Sequence, residues 1–124
     1  MINTTSLLVV FLYGKEGEGM KQLTHNLLKI NFSGINLTDV EKIEIAFSQN
    51  IASTPLKTNT YPSNDVLLVS ENAVGVVWTP EETALFKSDS SFYLDTRITM
   101  KDSPYQPPTP IVKLKMDPTL FEQG

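Results

Sequence analysis

Cysteine is absent from the 124-residue chain, and histidine and tryptophan occur once each. Without a thiol there can be no disulfide staple, no thiolate nucleophile and no sulfur ligand for a metal, which suits a reducing compartment or a particle assembled inside a cell. The single histidine, His25, leaves no second imidazole for a His-paired metal site or to support a Ser-His-Asp relay, and an ordinary surface or strand position is its expected role. Charge is also sparse: Lys, Arg, Asp and Glu make up 19% of the chain, and the net charge is −4. The ten basic residues are scattered rather than clustered, so the electrostatic footprint needed to bind a phosphate backbone is missing and no nucleic-acid partner is expected. The apolar run from Leu7 to Tyr13 covers about half a membrane span, lacks a preceding basic residue and a small-residue cleavage pattern, and is read as a strand. No membrane partner is expected.

What the chain does have is a hydrophobic share of 40%, enough for one domain over 1–124, rich in Leu, Val, Ile and Phe with abundant Ser, Thr and Asn. That mixture favours extended structure. Short apolar runs alternate with turn residues: Leu28, Ile30 and Phe32 on one side of a strand, Ile43, Ile45 and Phe47 on the next, then a hairpin of 66–70 and 73–78 around Glu71-Asn72. Thr38 and Glu41 have capping-box spacing and predict a single helical turn before the second of these strands. Thr79, Pro80 and Glu82 form a complete helix-start signature, predicting two to three turns around 80–87, with Leu85 and Phe86 closing one end of the core. Phe92, Leu94, Ile98 and Met100, and finally Val112, Leu114 and Met116, supply two more inward faces. The glycine-rich stretch 14–20, the polar stretch 50–64 (a loop or a ragged edge strand) and the proline-dense stretch 103–110 are read as connections. The resulting expectation is an all-β, immunoglobulin-like sandwich of about seven strands with one short helix.

No group of residues suggests catalysis. Glu41 with Glu44, and Glu81 with Glu82, sit beside turns and caps, where carboxylates satisfy helix N-termini without any chemical role. The stretch from Gly14 to Gly19 lacks the spacing and the Lys-Ser/Thr pair of a phosphate loop. Trp78, Phe47, Phe92 and Phe32 fall on inward faces and are assigned to the core. The tyrosines differ: Tyr61 and Tyr105 lie in connections and Tyr93 points outward on the same strand as Arg97, which makes Tyr93 with Arg97 the leading candidate for an interface patch. Tyr61, Tyr93 and Tyr105 together could alternatively form a sugar-stacking platform. No catalytic residue, metal ligand or cofactor is assigned.

The segments Val77-Trp78-Thr79-Pro80-Glu81-Glu82-Thr83-Ala84-Leu85-Phe86 and Tyr93-Leu94-Asp95-Thr96-Arg97-Ile98, with Asn36 to Gln49 upstream, resemble the small β-sandwich domains of prophage tail and baseplate regions in Gram-positive bacteria, including the N-terminal domain of baseplate upper proteins. The C-terminal part of the likeness runs from Val74 to Leu120, and with the upstream segment from Asn36 it extends over about two-thirds of the chain. It implies a non-enzymatic structural or adaptor module in a virion or tail, with other phage structural proteins as partners, a possible homo-oligomer, and a location in the virion or in the host cytoplasm during assembly. A carbohydrate- or cell-surface-binding sandwich is the alternative expectation.

Overall fold

A computed structural model describes residues 8–12, 15–16, 20–21, 25–104 and 106–117. The seven expected strands are present as β1 (Leu8–Leu12), β4 (Asn26–Phe32), β5 (Val40–Ser48), β7 (Val66–Ser70), β8 (Ala73–Trp78), β9 (Ser90–Met100) and β10 (Val112–Asp117). Three more lie in stretches read as connections: β2 (Lys15–Glu16), β3 (Met20–Lys21) and β6 (Lys57–Tyr61). In the polar stretch 50–64, therefore, the edge-strand alternative is the one realised, and 14–20 carries short ladder segments rather than loop alone.

Period-two burial is the local rule that makes these strands. Along β4 every second residue from Asn26 to Phe32 is buried and the intervening ones are half-buried, and β5 repeats the pattern from Ile43 to Phe47. The strands assemble into two five-stranded sheets, ordered β2-β1-β4-β8-β7 and β3-β10-β9-β5-β6. All pairings are antiparallel except that of β3 with β10, whose Met116 and Asp117 lie beside Met20 and Lys21. The N-terminal part of the chain thus contributes to both sheets in turn, β1 and β2 to one and β3 to the other.

The connections have specific causes. Gly34 closes the turn after β4 with φ +82°, a left-handed backbone that suits glycine. The turn before β5 is a 3₁₀ turn over Leu37–Asp39 capped by Asn36, whose Oδ1 accepts from the backbone N–H of Thr38 at 2.9 Å. This corrects the expected capping box of Thr38 with Glu41: the cap lies two residues earlier, and β5 has already begun at Val40. The second capping box is present as read. Thr79 Oγ1 accepts from Glu82 N–H, and Glu82 Oε1 accepts from Thr79 N–H at 2.9 Å. The helix it starts, α1 (Pro80–Thr83), is a single turn and not the expected 80–87. It tightens at its end, where Leu85 N–H donates to Glu82 C=O and Phe86 N–H to Thr83 C=O. This tightening delivers Phe86 to the interior at 1% exposure and leaves Leu85 outside at 54%, so only one of the two expected core residues is in the core.

The inner faces of the two sheets share one apolar cluster running from Met20 through Leu28, Ile43, Val74 and Ile98 to Met116. Its aromatic end lies under α1, where Trp78 meets Phe47 edge-on at 4.7 Å between ring centroids and Phe92 at 5.7 Å, while Phe86 sits 5.1 Å from Phe92. Trp78, Phe47, Phe92 and Phe32, assigned to the core from sequence, are all buried.

Candidate functional site

The outward face of the second sheet is built by three strands in register. Glu44 of β5 lies between Thr60 of β6 and Arg97 of β9; the next outward row is Thr58, Ala46 and Asp95. A third row brings Ser48, Tyr93 and Lys113 side by side across β5, β9 and β10. Because outward positions recur every second residue, Tyr93, Asp95 and Arg97 share a face, with Tyr93 and Arg97 about 13 Å apart along the strand. They are therefore on one surface but not in one contact pair.

Arg97, the only arginine in the chain, is engaged by Glu44 rather than by Tyr93. Its Nε donates to Glu44 Oε1 at 2.8 Å and its Nη2 to Glu44 Oε2 at 3.0 Å, the two-pronged geometry that fits a guanidinium to a carboxylate. The hydrogen bond from Arg97 holds the Glu44 carboxyl below its ordinary pKa, with the charges of Arg97 and Lys42 acting in the same direction. Arg97 is raised in turn, by the same hydrogen bond and by the charge of Glu44. Both groups face water, so the pair orders the surface more than it stabilises the fold. Around it runs a shallow groove of ≈ 460 Å³ whose outward lining includes Thr58, Thr60 and Asp95. A smaller hollow of ≈ 110 Å³ adjoins it at Ala46 and Asp95, and its lining combines Tyr93, Ile51, Pro55 and Ile111 with Ser48 and Ser53. Ile51 and Ile111 are 64% and 47% exposed, so apolar surface adjoins the polar groove.

The other expected site residues fall elsewhere. Tyr61 lies opposite Ile43, on the inner side of the sheet, and packs half-buried against the core. Tyr93 projects from the outer side near the far end of β5, beside Ser48. The register thus puts Tyr61 and Tyr93 on opposite faces and about 17 Å apart along the strands, so these two do not form one stacking platform. Tyr105 lies outside the described residues. His25 is exposed just before β4. Among the described residues no group of three or more His, Asp or Glu side chains converges as a metal would require.

A second charged group has no signature in the sequence. Lys57, on the inward side of β6, has a side chain only 3% exposed. Its Nζ lies 2.8 Å from Glu82 Oε2 and 5.1 Å from the centroid of the Trp78 ring. Burial works to raise the Glu82 carboxyl, but the hydrogen bonds from Lys57 and the Thr79 N–H, with the Lys57 charge, outweigh it and the group is lowered. The capping box therefore also anchors the edge strand β6 to α1. A lysine in a polar stretch carries no signal that it points inward; only the pairing of β6 with β5 decides that.

Neither a protein-family model nor a curated protein matches the chain.

Proposed function

We propose that this protein is a non-enzymatic docking module, a structural or adaptor part of a phage or prophage tail or baseplate. The observation that carries the docking part is the outward face of β6, β5 and β9, where the two-pronged Glu44–Arg97 pair borders a hollow lined by Tyr93, Ile51 and Ile111. Such a surface sets exposed aromatic and aliphatic side chains beside a pre-ordered charged pair, a combination that suits a protein interface. The tail assignment rests on the resemblance of 36–49, 77–86 and 93–98 to tail and baseplate domains. The finer fold, an immunoglobulin-like sandwich, is supported by the strand order: β1-β4-β8-β7 facing β10-β9-β5 follows the ABED and GFC arrangement, and β6 extends the second sheet as the variable type does.

Immunogold labelling of particles induced from the source strain tests the assignment. The expected result is label at the tail, reduced when Tyr93→Ala and Arg97→Ala are introduced together. Intact, infectious particles that carry none of the protein would overturn it.

A further inference from the structure

The strand β7 ends its sheet, and its surface differs from that of β6, which ends the other sheet on the side of β5. Edge strands are normally protected by charge, proline or a covering element. β6 carries Lys57, Thr58, Asn59 and Thr60, whereas β7 reads Val66-Leu67-Leu68-Val69-Ser70. Leu67, Leu68 and Val69 are 47%, 60% and 44% exposed, an uninterrupted apolar triplet that includes both faces of the strand. Val77 N–H donates to Asp65 C=O, and Leu67 lies opposite Gly75; the alternation of an antiparallel ladder then turns the N–H and C=O of Leu68 away from β8, toward the open edge. The bridge from Ser63 to Val66 closes the strand's start, and the register shift between Leu68 and Ser70 bends its end, so Leu68 is the centre of what remains available.

Leu68 borders an apolar groove of ≈ 330 Å³ that also includes Leu37, Val40, Tyr61 and Pro62. Carboxylates surround this edge: Glu41 and Glu71 line the groove and Asp65 precedes the strand, against one groove cation, Lys101. On the outer face Lys29 stands two strands in, beyond Gly75. This arrangement disfavours a second copy. Antiparallel self-pairing centred on Leu68 would bring Asp65 of each chain toward Glu71 of the other, placing like charges together at both ends.

We propose that β7 takes an added strand from a partner protein, a segment with three consecutive apolar residues flanked on both sides by Lys or Arg. Backbone hydrogen bonds to Leu68 hold the added strand, its central side chain enters the groove beside Tyr61, and its basic ends meet Asp65 and Glu71. This rests on the reading of the chain as a docking module but uses a surface separate from that of Tyr93 and Arg97.

The test is fluorescence anisotropy of a labelled Lys-Thr-Val-Leu-Val-Thr-Lys peptide with the full chain, together with amide NMR shifts and light scattering. Saturable binding is expected, with shifts concentrated at 66–70, and a peptide with Glu in place of both Lys should bind about tenfold more weakly. Leu68→Lys, a change at an exposed position that leaves the fold intact by circular dichroism, should abolish binding, whereas Tyr93→Ala should leave it unchanged. Equal affinity for the two peptides, binding retained in Leu68→Lys, absence of binding, or a dimer broken by Leu68→Lys would each overturn the proposal. None of these results bears on tail labelling, so the two readings fail separately.

Discussion

Replacing Glu82 by glutamine should destabilise the protein more than replacing its partner Lys57 by methionine. The Lys57 ammonium is almost fully enclosed and has two described partners, the Glu82 carboxylate at 2.8 Å and the Trp78 ring at 5.1 Å. In Glu82→Gln the carboxamide oxygen can still accept from Thr79 N–H, but the buried cation keeps only a π-face opposite it. Removing one member of a buried ion pair costs on the order of 3–5 kcal/mol. Glu82 is 34% exposed, so solvent screens part of the pair and the expected loss is roughly 2–3 kcal/mol. Lys57→Met instead keeps the packing of the aliphatic stem and leaves a carboxylate that water can reach, at a cost of under about 1 kcal/mol. The double variant should return to within about 1 kcal/mol of the parent, because no buried charge is then left unpaired. Urea unfolding followed by Trp78 fluorescence measures all four proteins, and thermal melts should place Glu82→Gln about 10 °C below the parent. Equal losses in the two single variants, or a larger loss in Lys57→Met, would refute the claim that the enclosed cation sets the energetics.

The same pair predicts a pH dependence. Glu82 titrates below its ordinary 4.5 in the folded chain, so its contribution is complete above that value and is lost as the pH falls through the folded pKa; unfolding midpoints measured across that acid range should fall less steeply in Glu82→Gln than in the parent. Phe92→Ala removes the ring that touches Trp78, Phe86 and Phe47, and should cost about 3–5 kcal/mol in urea unfolding while shifting Trp78 emission to the red. Asn36→Ala deletes the cap of the 3₁₀ turn and should cost about 1 kcal/mol by the same assay. Gly34→Ala should cost on the order of 1–2 kcal/mol from its positive φ alone, since a Cβ there meets nothing within 4 Å.

The two-layer architecture was legible because burial every second residue is written directly into β4, β5 and β9, while β8 reads as a nearly continuous apolar run beside a turn. The start of α1 was equally legible, since Thr79, Pro80 and Glu82 complete one another's hydrogen bonds within four residues. Its length was not, because the packing of Phe86 against Trp78 ends the regular turn. β6 was ambiguous for a related reason: Lys57-Thr58-Asn59-Thr60-Tyr61 has no apolar alternation, and its strand conformation comes from the ladder with β5.

The candidate surface divides in the same way. That Tyr93 and Arg97 face outward follows from their spacing within one strand. That Arg97 is held by Glu44, 53 positions earlier, depends on the register of β9 against β5. The separation of Tyr61 from Tyr93 and the enclosure of Lys57 beside Glu82 likewise come from pairings between distant strands. Local hydrogen bonding and side-chain periodicity act over a few residues and are determined by the sequence itself; which strands become neighbours, and in what register, is settled only when both sheets bury their apolar faces together.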